Sequence, residues 1–440
     1  MPSILPFRFL HTGDLHLDSP VIGLRGDATP EILALLRDAT SRAWRNVVAL
    51  AIAERVDFVV VAGDVFERSS PTLLGQTRFR DGLAQLAAHG IASFVVHGNH
   101  DPMDGVSWAP SLAFPPQTHR FGTAAGESAV ATRDGAPLAR IHGRSYPSAA
   151  VVENFAAGFR RGDEPFAIGL LHANVGDRPG HGNYAPCSLD DLRAAGIDYW
   201  ALGHIHQPGI VTADGTLAVY CGNPQGRDPG EMGPRGAWLV SVDAAGRAVP
   251  EFRPCDVVRW ASDELAIDAI DTDEALLSAV RARLADATDA ADGRSLLFRL
   301  RLTGRGPMHA ALRRTGYLDD LRRLANEELA TVPPFAWLES LGDATRPAID
   351  VAARRAVPDF AGDFLRTVEA ARRADRGTDP AEHEAWRATL ESAVHPLFDD
   401  WARGRRILSE ARPSEAELFG PILDEAEGVG IDLLLTAEES

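Results

Sequence analysis

The chain has 440 residues, 45% hydrophobic and 24% charged, a length and balance expected of a soluble protein with two or three domains. No apolar run approaches the ~18 residues that cross a bilayer, and the N-terminus lacks a signal-peptide profile, so a cytoplasmic location is expected. Three cysteines (Cys187, Cys221, Cys255) without a CxxC pair exclude a disulfide framework and a thiolate zinc site. The net charge of −18 runs against broad phosphate binding, which leaves a basic footprint. A metal site with a local arginine patch overrides such an average. Every one of the 44 basic residues is arginine, so any phosphate contact is a guanidinium.

In chain order, Phe7–His11 reads as a short strand ending in Gly13-Asp14-Leu15-His16. A helix is expected from Thr29-Pro30, a capping residue followed by proline at the first helical position. It carries Ile32, Leu36, Trp44, Val47 and Val48 at helical spacing. The strand Phe58–Val61 runs into Gly63-Asp64. A second helix should start at Ser70-Pro71 and end before Gly90, with Leu83, Leu86 and Ala87 inward. The strand Ala92–Val96 precedes Gly98-Asn99-His100-Asp101. Further strands are expected at Phe166–Leu171, before His172, and at Tyr199–Leu202, before Gly203-His204-Ile205-His206. Others are Leu217–Cys221, Ala237–Val242 and Val249–Phe252. This alternation predicts a layered α/β domain over residues 1–255.

Composition shifts near Arg259-Trp260, and a smaller α/β unit is expected over 256–350. It contains a helix near Thr272–Ala285, a strand Ser295–Leu302, helical segments to about Ala330 and a strand near Phe335–Ser340. From Val357 the pattern is helical and charged, broken at Gly377–Pro380 and Pro413, which sets apart a helical region over 351–440. Leu433-Leu434-Leu435 reads as an exposed tail. The chain has no GxxxxGK[ST] and so no P-loop.

Eleven of the fourteen histidines lie in the first 206 residues, and the chemistry is expected there. Strand tips of an open α/β sheet converge on one crevice, and Asp, Asn and His are ligands suited to Mn, Fe or Zn. Asp14 and His16, two apart, would share one face of an extended strand, and His204 and His206 repeat the pattern. Asp64 is the natural bridging carboxylate of a two-metal site. Asn99 adds a neutral oxygen. His100, directly after Asn99, is placed to donate a proton, with Asp101 holding its orientation. Any one of these motifs alone is usually a plain turn; five at strand ends point to a site. His11, His97, His119, His142 and His181 read as structural or rim residues, and the cysteines as core.

The series Asp14-x-His16, Gly63-Asp64, Gly98-Asn99-His100-Asp101, His172 and Gly203-His204-x-His206 resembles the calcineurin-like metallophosphoesterase superfamily. His11-Thr12-Gly13-Asp14-Leu15-His16-Leu17-Asp18-Ser19-Pro20 and Gly203-His204-Ile205-His206-Gln207-Pro208 resemble more narrowly the SbcD-type DNA repair exonucleases, as does the Gly222-Asn223-Pro224-Gln225 loop. The resemblance covers about the first 255 residues. It implies an α/β/β/α four-layer sandwich with a small α/β capping domain and C-terminal helices. It also implies two divalent metals, usually Mn, with Fe or Zn as alternatives. One would take Asp14, His16, Asp64 and His206, the other Asp64, Asn99, His172 and His204. Phosphodiester hydrolysis would be in line, with His100 protonating the departing sugar oxygen and Arg227 or Arg235 near a flanking phosphate. DNA, an SMC-like ATPase of SbcC type and a second copy of the chain are the implied partners, and no membrane. Glu67 departs from the histidine that some members place there, which leaves the exo/endo balance open.

Two other functions fit parts of the sequence. The acidic charge suits a phosphodiesterase or phosphatase of small nucleotides, whereas the ~180 appended residues suit the nuclease. A non-catalytic scaffold would keep the fold, yet all eight metal and acid positions hold competent residues. Arg281, Arg283, Arg299, Arg301, Arg313 and Arg314 form either a patch for DNA or a solvated face.

Overall fold

Runs such as Phe58-Val59-Val60-Val61 are apolar at every position because both faces of their strands are covered, the signature of a parallel sheet buried on two sides. In the computed structural model the described residues are 4–25, 28–67, 72–104, 112–176, 184–212, 216–327, 333–376, 384–386, 388, 423 and 426–434. The elements begin with β1 (Phe7–Thr12), α1 (Pro30–Ala53), β2 (Phe58–Ala62), α2 (Leu73–Ala88), β3 (Ala92–Val96) and β4 (Thr118–Arg120). They continue with β5 (Ser128–Arg133), β6 (Ala136–Gly143), β7 (Ala167–His172), α3 (Leu189–Ala194), β8 (Tyr199–Gly203) and β9 (Gly209–Thr212). Next come β10 (Leu217–Tyr220), β11 (Gly236–Val242), β12 (Ala248–Pro254), β13 (Val258–Ala266), α4 (Asp273–Ala290) and β14 (Ser295–Thr303). The last are α5 (His309–Leu312), α6 (Tyr317–Asn326), β15 (Ala336–Asp343), α7 (Val351–Arg355) and α8 (Phe360–Arg376). Among the described residues no helix is long and apolar enough to cross a membrane.

The described residues of Met1–Ser262, Leu284–Arg299 and Glu328–Ser340 form one compact unit. Its first sheet has the order β12-β11-β1-β2-β3-β4 and its second β5-β6-β7-β8-β10-β9. The β1–β2–β3–β4 and β6–β7–β8–β10 stretches are parallel, flanked by antiparallel strands. The sheets bury one face each against the other: Phe7, Phe9, Phe58, Val60 and Ala62 meet Phe166, Ile168, Leu170 and Tyr199. Phe9 and Phe58 stack at 5.1 Å, and Tyr199 meets Phe9 edge-on at 5.2 Å.

The opposite face of the first sheet, with Leu10, Val59, Val61 and Val95, is covered by Trp44, Val47 and Val48 of α1 and Phe79, Leu83 and Leu86 of α2. The outer face of the second sheet packs against Phe155, Phe159 and Leu192. This mixed α/β sandwich is the four-layer metallophosphoesterase architecture expected from the sequence.

Local chemistry explains the boundaries. Thr29 caps α1, its hydroxyl accepting from the Ile32 N–H at 3.4 Å, and Pro30 opens the helix. The Ser70-Pro71 start expected for α2 lies outside the described residues; Thr72 caps that helix, accepting from the Gly75 N–H at 2.8 Å. The β5–β6 hairpin was not anticipated, although Asp134-Gly135, both with positive φ (51° and 81°), is the residue pair such a turn prefers. The strand before it is half solvent-facing, so its apolar pattern is faint. Strands β4, β9 and β13 are likewise additional to the expectation.

Strands β13, β14 and β15 form a third, three-stranded sheet. The described residues of Asp263–Arg283, Leu300–Glu327 and Leu341–Ser440 make up the second compact unit. In it, Ala361, Leu365 and Ile431 form a small core with Ile349, Val351, Phe364 and Leu434. Asp432 receives both Arg305 (3.0 Å) and Arg346 (2.8 Å). The expected exposed tail is thus helical through residue 434, because Ile431 and Leu434 find an apolar partner. Leu433 stays 67% exposed, and Leu435, Gly377–Pro380 and Pro413 lie outside the described residues.

Candidate metal centre

The strand tips converge by bending sharply. Asp14, His16, Asp64 and His204 have φ of 47°, 42°, 49° and 93°, a left-handed conformation that costs a non-glycine residue about 1–3 kcal/mol and is kept where function requires it. Pairing of the β1 and β2 ends beyond the strands overcomes the cost: Asp14 N–H donates to Gly63 O (2.9 Å) and His16 N–H to Asp64 O (3.0 Å). Asp14 and His16 therefore reach one place through a left-handed turn past β1, not through the two-residue repeat of an extended strand.

Two glycines make the approach possible. A Cβ on Gly98 would stand 2.2 Å from Asp64 Oδ1 and 2.8 Å from the His172 ring, and one on Gly63 2.7 Å from His172 Nδ1. A side chain at either position would occupy the crevice.

Donor atoms of Asp14, His16 and His206 lie within 4.8 Å of one another, as do those of Asp14, Asp64 and His172. His172 Nε2 is 2.9 Å from Asn99 Oδ1 and 3.3 Å from Asp64 Oδ2. All but His206, whose side chain is 23% exposed, are buried or nearly so. The His204 ring packs against those of His172 (5.2 Å) and Tyr184 (5.8 Å), while its backbone N–H donates to the Asp14 carboxylate at 3.1 Å. The donor set fits divalent ions in two ways. His16 Nε2 and His206 Nε2 face each other at 3.2 Å, and two nitrogens about 2.1 Å from one ion at right angles stand about 3.0 Å apart. His172 Nδ1 donates to Ala62 O at 3.0 Å, which turns its Nε2 toward Asp64 and Asn99.

Electrostatics agree. Burial, and then Arg227, push His16 down to about 3, which keeps its imidazole neutral. Burial alone would lower His172, yet the Asp64 and Asp14 carboxylates raise it to about 9. Burial raises the Asp14 carboxyl against the pull of His172 and His206. It works the same way on Asp64, where His172 and His16 prevail and hold the group well below the usual carboxylate range. Two carboxylates at 2% exposure or less thus draw positive charge to this spot, as cation sites do.

His100 sits at the rim, its side chain 39% exposed, with Nδ1 donating to Glu67 Oε1 at 2.6 Å. Burial opposes its charge, but the Glu67 and Asp64 carboxylates outweigh it and raise its pKa. The expectation that Asp101 orients His100 is corrected here. Asp101 is fully buried and accepts from the backbone N–H groups of Asp64 (3.2 Å), Val65 (2.9 Å) and Gly98 (2.8 Å), and it meets His97 Nδ1 at 3.2 Å. Those bonds lock the β2 and β3 tips together, and Glu67 takes the orienting role. The sequence marks Glu67 only as a departure from the family's histidine and misses its role as partner of His100.

Arg227 Nη1 lies 3.6 Å from Glu67 Oε2, beside the cluster. Arg235 is buried and spends its guanidinium on His206 O, Asn223 Oδ1, Gln207 Oε1 and Met232 O. It is a structural brace and no phosphate contact. Sequence reading also missed Glu231, whose Oε1 accepts from His206 Nδ1 at 2.5 Å. Burial raises the Glu231 carboxyl, but His206 prevails and brings it down to about 2. Among the arginines suspected of forming a patch, Arg281 donates to Leu324 O, Arg283 and Arg301 pair with Asp263 and Glu264, and Arg299 pairs with Glu339. The three cysteines are buried in the core.

Converging Asp, Asn and His donors at the tips of two facing sheets define a metal-dependent phosphoesterase centre. Residues 7–208 match the family described as calcineurin-like phosphoesterase, and residues 260–346 match the metallophosphoesterase YhaO middle domain. The chain belongs to the calcineurin-like metallophosphoesterases. It is 34% identical over 340 residues to the metallophosphoesterase YhaO of Bacillus subtilis, covering 77% of this chain and 81% of that one. More distant is the SbcD component of the nuclease SbcCD of B. subtilis, 25% identical over 254 residues, covering 49% of this chain and 61% of the relative. The DNA double-strand break repair protein Mre11 of Haloferax volcanii is 29% identical over 260 residues, covering 56% and 53%. The chain thus spans little more than half the length of the nucleases it matches.

Proposed function

We propose that this protein is a Mn-dependent DNA exo/endonuclease of double-strand-break repair that hydrolyses phosphodiester bonds at the strand-tip cluster. The observation that carries the reading is a partly exposed histidine, His100, beside a buried set of Asp and His donors. A diester releases a sugar alkoxide, a poor leaving group that needs a proton, and His100 can supply one from Nε2 while Glu67 holds Nδ1. Asp14, His16, Asp64 and His206 would hold one ion and Asp64, Asn99, His172 and His204 the other. Bound there, divalent ions supply an activated water and charge stabilisation at the phosphoryl group. Arg227, next to Glu67, is placed for a flanking phosphate.

DNA as substrate rests on the likeness to the SbcCD nuclease and Mre11. The same likeness supports an SbcC-type ATPase partner, for which this chain has no P-loop of its own, and a homodimer in the cytoplasm is proposed with it. Residues 1–255 would be the nuclease domain, 256–350 a capping domain and 351–440 the helical region that docks the ATPase. A second reading, hydrolysis of a nucleotide diester, is favoured by the net charge of −18 and by the internal engagement of Arg281, Arg283, Arg299 and Arg301.

Cleavage of end-labelled linear duplex DNA with Mn, run beside His100→Ala and a bis-(p-nitrophenyl) phosphate control, separates the two. The nuclease reading expects DNA cleavage that falls about 100-fold or more in the variant, in line with the loss of a general acid. Hydrolysis of the small ester with DNA left intact, in the presence or absence of the ATPase, would transfer the assignment to nucleotides.

A further inference from the structure

We infer that Glu231 is a positioning residue that presents His206 to the metal centre and, through the same carboxylate, sets the backbone of Arg227. The inference rests on reading the strand-tip cluster as a metal centre and extends it to the loop after β10. Glu231 is 8% exposed, and both its oxygens are engaged. Oε1 accepts from His206 Nδ1 at 2.5 Å. Oε2 accepts from Asn223 Nδ2 at 2.8 Å and from the Arg227 N–H at 2.6 Å. Asn223 is anchored in turn, its N–H donating to His206 O at 3.1 Å and its Oδ1 accepting from Arg235 at 3.2 Å.

A histidine bound through Nδ1 keeps its Nε2 lone pair for a ligand, and a carboxylate on Nδ1 fixes both tautomer and ring angle. For His206 the consequence is visible: Nε2 faces His16 Nε2 at 3.2 Å. A histidine side chain past the end of a strand has rotamer freedom of its own. The His206-to-Glu231 bond takes that freedom away, and an ion then binds without having to order the ring. The other oxygen accepts from the backbone N–H of Arg227, whose guanidinium stands by Glu67. One buried acid therefore holds a metal ligand and the arginine proposed for the substrate phosphate in a common frame.

The test compares wild type, Glu231→Gln and Glu231→Ala in the full chain. Mn affinity is read by calorimetry and the His206 ring by 15N-edited NMR, with melting of the metal-free proteins as a control. Removing such a carboxylate partner typically costs 10–100-fold in metal affinity, so Glu231→Ala should weaken Mn binding by that range. The downfield Nδ1 proton of His206 should disappear with it. Glu231→Gln keeps an acceptor oxygen in the same shape and should recover most of the affinity, which covers the case in which the alanine variant does not fold. Mn binding by Glu231→Ala equal to wild type, with the His206 signal lost, would overturn the inference while leaving the metal centre standing. A wild-type protein that binds no divalent cation would overturn the metal-centre reading and this inference together. Equal loss of metal affinity and of metal-free stability in both variants would show a scaffold role and overturn the positioning.

Discussion

The two sheets of the first unit bring different chemistry to the crevice. Tips of the first sheet supply both carboxylates, Asp14 and Asp64, with His16, Asn99 and His100; tips of the second supply His172, His204 and His206. One side is anionic; left-handed residues occur at both, Asp14, His16 and Asp64 on the first sheet and His204 on the second. The other carries imidazoles whose far nitrogens are occupied, His172 by Ala62 O and His206 by Glu231. Neither half alone is a site: buried carboxylates without positive partners are costly, and the histidines alone bring no charge. The centre exists because Phe7, Phe9 and Phe58 clamp the first sheet onto Phe166 and Tyr199 of the second.

Removing the charge on the anionic side should have the largest effect. Asp64→Asn keeps the shape and removes the carboxylate proposed to serve both ions. The expected outcome is loss of one or both ions in elemental analysis and a fall in diester hydrolysis on the order of 1,000-fold, since metal stabilisation of the reacting group is worth several kcal/mol. Retention of near wild-type activity would mean that the two sheets are not complementary halves.

Separating the sheets is the next test. Phe58 is fully buried, stacked on Phe9 (5.1 Å) and edge-to-face with Phe94 (5.7 Å). Phe58→Ala should cost about 3–5 kcal/mol in denaturant unfolding, the usual toll of a buried phenylalanine. Metal affinity should fall as well, although residue 58 touches no ligand. If stability drops and affinity holds, the clamp matters to the fold but not to the centre.

The smallest effect expected is at His11, where the sheets meet in a polar contact: His11 Nδ1 and the Tyr199 hydroxyl are 3.0 Å apart. Burial lowers this histidine to about 3, so it stays neutral in the fold, while an unfolded chain takes up the proton below about pH 6.5. The unfolded state then binds more protons across that interval, and stability must decline as pH falls from about 6.5 toward 3. His11→Gln should flatten this slope and move the acid-unfolding midpoint down by roughly half a pH unit. An unchanged midpoint would show that the two sheets resist acid independently of this contact.

The linear chain carries a large share of this protein. Apolar runs two-sided in character, capped helix starts such as Thr29-Pro30 and glycine-led polar tips are local patterns, so the layered fold and the eight strand-tip residues were legible in it. The third-sheet strand β13 and the β5–β6 hairpin were not, since half-exposed strands leave only a faint alternation. Who orients whom was decided by folding alone. Asp101 stands next to His100 in the chain, yet it turns to three backbone N–H groups, and Glu67, 33 residues away, takes the ring. Glu231 reaches His206 across 25 residues for the same reason. Adjacency along the chain says which residues end a strand; a hydrogen bond needs an angle and about 3 Å of separation, and only the packing of the two sheets sets those.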